Sequence, residues 1–148
     1  MSFSILTIGS ELIKGKILDT NSQLIADKLY KNGLELAFQM TCTDKESDIL
    51  KSLEFLTKNS DYIITTGGLG PTRDDITLEV ISKFLNAKLV YSDEAWENCT
   101  NYFKKIGRKN RAASNKKTAY IPKGVSIYKK SLWHLWRSFK SIFFWIIS

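Results

Sequence analysis

Apolar runs rich in β-branched residues alternate with segments of helical period through most of this chain, and that alternation leaves few folds open. Residues 3–9, Phe-Ser-Ile-Leu-Thr-Ile-Gly, form a run closed by Gly9, the pattern of a buried strand. Asp19-Thr-Asn-Ser22 supplies helix-start chemistry. Leu24, Ile25, Leu29 and Tyr30 then recur at helical spacing until Asn32-Gly33 stops the pattern. Residues 34–42 read as a second strand, followed by an acid-rich turn, and Ser47–Lys58 carries the helical stripe Ile49, Leu50, Leu53, Leu56. Asp61–Thr66 is continuous and apolar enough for a strand buried on both faces. Leu78, Ile81, Phe84 and Leu85 predict a helix over Thr77–Leu85. A strand at Lys88–Tyr91 and a helix at Asp93–Ile106 follow, then a basic polar loop over Gly107–Lys117. A β-like piece at Thr118–Ile121 and a turn at Pro122-Lys-Gly124 complete the pattern. Strands alternating with helices imply βαβ units around a parallel sheet, an α/β fold.

The length of 148 residues suits one domain with a real core. Cys42 and Cys99 stand far apart, in no metal-ligand spacing, and read as reduced thiols. The N-terminal run lacks a basic flank and a cleavage pattern, so it reads as a strand and not as a signal peptide. No run reaches the roughly 18 apolar residues of a membrane-spanning helix, and a cytoplasmic setting is expected. Charge is divided unevenly. All 15 acidic residues lie at or before Glu97, against 10 Lys and Arg there, whereas the last 51 residues hold 12 Lys and Arg and no acid. Such asymmetry marks either a basic arm or a segment of different origin.

In open α/β sheets ligands bind beyond the carboxyl ends of strands, and two strand ends here carry unusual residues. The first runs from Gly9 to Asn21. The second is Tyr62-Ile-Ile-Thr-Thr-Gly-Gly-Leu-Gly-Pro-Thr-Arg-Asp-Asp75. Gly67, Gly68 and Gly70 allow backbone amides close to an anion, or positive φ. Thr65, Thr66 and Thr72 add hydroxyls, Pro71 fixes the turn, and Arg73 suits a phosphate. Asp74 and Asp75 suit a Mg²⁺ ion bridging phosphates, or a water nucleophile. The run is neither a Walker A loop nor Gly-x-Gly-x-x-Gly. It also reads as a plain strand-to-helix turn whose aspartates favour the next helix through its dipole. Asp44, in the acid-rich turn, is either a solvated carboxylate or a member of the same site. Glu11 and Asp19 beside the first strand end are caps, solvated carboxylates, or ribose- or metal-directed groups.

The runs IGSELIKGKILDTNSQLIADKLYKNG and TTGGLGPTRDDIT together resemble the N-terminal domain of the CinA (competence/damage-inducible) family, over residues 4 to about 128. That domain belongs to the molybdopterin-binding superfamily that includes MogA and MoaB. The resemblance implies a three-layer α/β sandwich with a mostly parallel sheet, assembled as a homo-oligomer, with a nucleotide or pterin ligand at these strand ends. In MogA-like proteins two aspartates act in adenylyl transfer to molybdopterin, and the matching positions here are Asp44 and Asp75. Asp74 stands where those proteins often carry a basic residue. CinA-type domains are associated instead with metal-dependent hydrolysis of ADP-ribose-like pyrophosphates. The resemblance thus assigns Gly67, Gly68, Gly70, Thr66 and Thr72 to phosphate cradling and Arg73 to phosphate charge. It assigns Asp44, Asp74 and Asp75 to metal or water, and Gly9, Glu11, Asp19 and Asn21 to the nucleotide side. The expected cofactor is a divalent metal, Mg²⁺, with molybdopterin as the alternative ligand. Two other functions stand beside hydrolysis: adenylyl transfer in molybdenum-cofactor biosynthesis, and a non-catalytic or inactive binding module. No counterpart of the family's amidase domain is expected within these 148 residues.

The resemblance breaks after Asn115-Lys-Lys-Thr-Ala-Tyr-Ile-Pro-Lys-Gly124, where the family continues into an Asn-Pro-x-Gly-Thr loop. Here Lys130-Ser-Leu-Trp-His134 follows, in a tail that holds three of the four tryptophans and the only histidine. Codons AAA TCC YTN TGG CAY for that pentapeptide, read one base later, give Asn-Pro-x-Gly and then a codon that can be Thr. Residues 1–128 are therefore expected to form the domain and residues 129–148 a frameshifted basic and aromatic tail. Rival readings are an amphipathic interface segment and aromatic stacking on nucleic acid; no nucleic-acid partner is expected. Ile142–Ile147 is too short to span a bilayer. Loss of the Gly-Thr loop predicts weak or absent activity, and the aromatic tail predicts poor solubility.

Overall fold

The computed structural model describes residues 1–70, 72–105, 113–124 and 146–147. In chain order the elements are strand β1 (Ser2–Ile8), a one-turn helix α1 (Ser10–Ile13), α2 (Thr20–Lys31), β2 (Glu35–Cys42), α3 (Glu46–Asn59) and β3 (Tyr62–Thr66). Then come α4 (Thr77–Phe84), β4 (Leu89–Tyr91), α5 (Asp93–Lys105), a 3₁₀ helix (Ala113–Ala119), β5 (Tyr120–Pro122) and β6 (Ile146–Ile147). They divide into two compact units, one of Met1–Gly68 with β6, the other beginning at Leu69.

The first unit is built on a sheet of order β2-β1-β3-β6. β1 pairs in parallel with both β2 and β3, and β6 adds a short antiparallel edge. A register shift between Phe3 and Ser4 aligns Leu36 with Phe3 but Phe38 with Ser4, so these two β2 side chains serve opposite faces. On one face Phe3, Ile5, Leu36 and Ile64 pack with Ile25, Ala26 and Leu29 of α2. On the other, Phe38 meets Phe55 of α3 edge-on at 5.2 Å, and α3 buries Ile49, Leu53 and Leu56 completely. Alternation along β1 turns Leu6 and Ile8 to that second face. The result is helix, sheet, helix: the three layers and mostly parallel sheet expected from the sequence. β3 is buried from Ile63 through Thr66, which explains why its sequence is an unbroken apolar run without alternation.

Local chemistry sets the helix ends. Asp19 Oδ1 accepts from the Ser22 amide at 2.9 Å and caps α2. At its other end Gly33, at φ +68°, takes the left-handed conformation that lets the chain reverse into β2.

In the second unit β4 and β5 form an antiparallel pair, with Tyr91 and Tyr120 meeting edge-on at 5.6 Å. One expectation is corrected here. The part of the expected loop and strand from Ala113 on is a 3₁₀ helix, Ala113–Ala119, with the strand confined to Tyr120–Pro122. Packing decides this: Ala119 is fully buried, and Thr118 Oγ1 donates to Cys99 Sγ of α5 at 3.3 Å, holding the coil against that helix. Pro71, the basic stretch 106–112, His134 and the aromatic tail up to residue 145 lie outside the described residues.

Candidate functional site

The strand order 2-1-3 places a switch point between β1 and β3, because the connection leaving β1 leads to β2 on its other side. The two strands are parallel with Thr7 opposite Thr66, so their following segments leave from one edge of the sheet. Those segments are Gly9–Asp19 and Gly67-Gly68, the strand ends that stand out in the sequence.

Glycine is required at Gly67. Its φ is +95°, and a Cβ there would run into the carbonyl oxygen of Ile8, so the β3 end lies directly on the β1 backbone. Gly68 also has positive φ, at +60°, whereas Gly70 does not. Gly9 continues the ladder, donating its N–H to the Cys42 carbonyl at 3.0 Å, and the Glu11 carboxylate lies over its α-carbon.

Side chains from both segments meet at this edge. Asn21 Nδ2 donates to Thr66 Oγ1 at 3.3 Å. Ser10 Oγ donates to Asp44 Oδ1 in a short hydrogen bond, which brings the acid-rich turn after β2 to the first strand end. Three polar atoms of these segments are buried without a partner among the described residues: Thr7 Oγ1, Thr65 Oγ1 and Asp19 Oδ2. A buried polar atom left unsatisfied costs about 1–3 kcal/mol, so this end of the sheet carries unmet hydrogen-bonding capacity among the described residues. Of the residues singled out from sequence, Gly9, Glu11, Asp19, Asn21, Asp44, Thr66, Gly67 and Gly68 all belong to this unit. Sequence reasoning misses Ser10 and Thr7; a serine directly after a strand-closing glycine is the available signal for the first.

The other singled-out residues form a loop of the second unit. Asp75 Oδ2 accepts from the Thr72 amide at 2.9 Å and from Thr72 Oγ1, and its carboxylate packs so closely on Gly70 that a Cβ there would sit 2.6 Å from Oδ2. Partial burial pushes the Asp75 carboxyl up. The opposing hydrogen bonds from the Thr72 hydroxyl and the Gly70 and Thr72 amides, with the Lys117 charge, outweigh it and hold the group below the usual carboxylate range. Arg73 and Asp74 are exposed beside it. Lys117 reaches the loop from the 3₁₀ helix; the sequence alone puts it in a basic loop and gives it no role.

Among the described residues no group of three or more His, Cys, Asp or Glu is gathered as a metal cage. A paired carboxylate loop of the Asp74-Asp75 kind fits a magnesium-type ion, which takes one or two carboxylates and completes its shell with water and phosphate oxygens. It does not fit a structural zinc or calcium site.

The chain matches the family described as probable molybdopterin binding domain, MoCF_biosynth, over residues 4–137. It is 41% identical over 132 residues to a CinA-like protein of Fusobacterium nucleatum, covering 89% of this chain and 32% of that one. Among solved structures it is similar to the protein CinA of Thermoplasma acidophilum, with TM-score 0.69 and 29% identity, covering 82% of this chain and 70% of that one. The tungsten cofactor synthesizing protein MoaB of Pyrococcus furiosus matches with TM-score 0.58 and 27% identity, over 72% of this chain and 64% of that one. The chain spans 30–32% of the length of the curated relatives it matches. Fold, strand-end geometry and similarity agree: this chain belongs to the MoCF_biosynth family of molybdopterin-binding-type domains and is CinA-like within it.

Proposed function

We propose that this domain binds the pyrophosphate of a nucleotide or pterin, and that it hydrolyses ADP-ribose-like pyrophosphates with a divalent metal. The observation that carries the reading is the meeting of two glycine-bearing strand ends at the β1/β3 switch point, where Gly67 lies against the Ile8 carbonyl and buried Thr7 Oγ1 and Asp19 Oδ2 lack partners among the described residues. Positive φ at Gly67 and Gly68 makes a turn of the kind that lets backbone approach phosphate oxygens closely, and Asn21, Thr66 and Asp19 suit ligand hydroxyls. Asp44, oriented by the Ser10 hydroxyl, suits the activation of a water.

The second unit's loop carries the groups assigned to charge. Arg73 suits a phosphate, and Asp74 and Asp75 would hold Mg²⁺, which when bound neutralises pyrophosphate charge and lowers the pKa of a coordinated water. The hydrogen bonds on Asp75 fix its carboxylate within the loop and favour its ionised form. Hydrolysis adds one water across the P–O–P bridge of ADP-ribose and gives AMP and ribose 5-phosphate.

A second reading is adenylyl transfer or storage of molybdopterin. The family description and the likeness to the MoaB structure favour it, and the sequence resemblance would give Asp44 and Asp75 its two aspartate roles. The deciding experiment incubates the full chain with ADP-ribose and Mg²⁺ and follows AMP release. Turnover that disappears in Asp75→Ala supports the first reading. Absence of turnover in both proteins, with tight pterin binding, supports the second. Neither turnover nor binding leaves a non-catalytic module.

A further inference from the structure

We propose that Lys117 is a positioning residue for Asp75, setting the backbone of the Thr72–Asp75 loop without meeting the ligand. A lysine ammonium has three N–H donors and no acceptor. Here its donors reach the Thr72 carbonyl at 3.2 Å, the Asp75 carbonyl at 2.5 Å and Glu79 Oε1 at 3.0 Å. All three donors are engaged, and the Glu79 carboxylate offsets the charge. Among the described residues Lys117 therefore has no spare donor for a phosphate, unlike exposed Arg73 two residues before Asp75.

The geometry gives this ammonium one task. It bridges the two carbonyls that bracket the loop, the same residues whose amide and carboxylate close on each other from within, Thr72 N–H to Asp75 Oδ2. The inner bond fixes the Asp75 side chain relative to the loop. The Lys117 bridge ties the loop to two other elements of the same unit, the 3₁₀ helix that carries Lys117 and the α4 helix that carries Glu79. With only 30% of its side chain exposed, Lys117 makes these bonds partly shielded from water, where a charge-assisted hydrogen bond counts for more. Remove the ammonium and two loop carbonyls and a carboxylate lose their shared donor.

The metal arm of the test rests on the pyrophosphatase reading, and the exchange arm does not. In the full chain, amide hydrogen exchange at Thr72 and Asp75 is compared with exchange in β1 and β3, and Mn²⁺ is titrated alone as the probe. Lys117→Met is expected to speed exchange at the two loop amides about tenfold or more while the strand amides stay unchanged. It should weaken Mn²⁺ binding by about 10–100-fold, the usual cost of losing a group that orients a metal ligand. Lys117→Arg, which keeps the charge and the reach, should stay within about threefold of wild type in both. Glu79→Gln leaves Lys117 in place but strips its anchor; it should shift both readouts in the same direction, and it serves if the Met variant does not fold. Wild-type loop exchange in a folded Lys117→Met protein overturns the proposal. So does faster loop exchange with Mn²⁺ affinity unchanged, or an Arg variant as damaged as the Met variant. If the wild-type chain binds no Mn²⁺, the metal reading of the function fails and the exchange data alone decide Lys117.

Discussion

Asn21 Nδ2 donates to Thr66 Oγ1 across 3.3 Å, joining the first turn of α2 to the last residue of β3. The two residues are 45 positions apart and belong to the two strand-end motifs, so this bond is where the motifs meet. Thr66 is 1% exposed, and its hydroxyl has no water to turn to once the amide is gone. Asn21→Ala should cost about 1 kcal/mol in denaturant unfolding, and adding Thr66→Val should recover most of it by removing the orphaned hydroxyl. Strictly additive losses in the double-mutant cycle would show that the bond carries no energy.

Gly67 tolerates no side chain. Gly67→Ala combines a left-handed φ with a collision against the Ile8 carbonyl, and should destabilise the first unit by about 2 kcal/mol or more. Gly15 is the control: its φ is +66°, but nothing lies within 4 Å of the point a Cβ would occupy. Gly15→Ala should cost no more than about 1 kcal/mol. Equal melting temperatures for the two variants would count against the close β1–β3 approach.

Asp75 makes stability depend on acid. Its folded pKa lies below the ordinary 3.8, so its contribution is fully present above that value and is lost as pH falls through the folded pKa. Asp48 and Asp61 shift in the same direction and add to the overall acid sensitivity, so the comparison must isolate one residue. The difference in urea midpoint between wild type and Asp75→Asn should be largest near neutral pH and shrink below pH 3.8. A difference independent of pH would show that the carboxylate charge does not hold the loop.

Cys42 should be inert. Burial pushes its thiol up to about 11, against a smaller downward pull from a hydrogen bond with Ser52. A raised pKa means that the neutral thiol stabilises the fold below its unfolded value of 9.0, and that this is lost as pH rises through 11. In a Cys99→Ala background, iodoacetamide at mildly alkaline pH should alkylate the folded protein at least about tenfold more slowly than the urea-unfolded chain. Equal rates would place Cys42 at the surface.

Strands β1 to β4, helices α2 to α5 and both glycine-bearing strand ends were legible in the sequence, because each is written in near neighbours; the one-turn helix Ser10–Ile13 and the strand Ile146–Ile147 were not. The unbroken run Ile63–Thr66, the stripe Ile49, Leu53, Leu56 and the cap Asp19 to Ser22 are local patterns of hydrophobicity and hydrogen bonding. What stayed illegible depends on residues far apart in the chain. Only the folded sheet, with Thr7 registered on Thr66, shows that Gly67 presses on Ile8 and that Thr7 Oγ1 and Asp19 Oδ2 find no partner among the described residues. Ser10 finds Asp44 across 34 residues and Lys117 finds Asp75 across 42, contacts that no periodicity records. The 3₁₀ helix at Ala113–Ala119 reads as loop and strand in the sequence because packing of Ala119 and Thr118, and not local preference, holds it. Sequence determined which segments fold and which residues could do chemistry; strand order and long-range packing decided which of them meet.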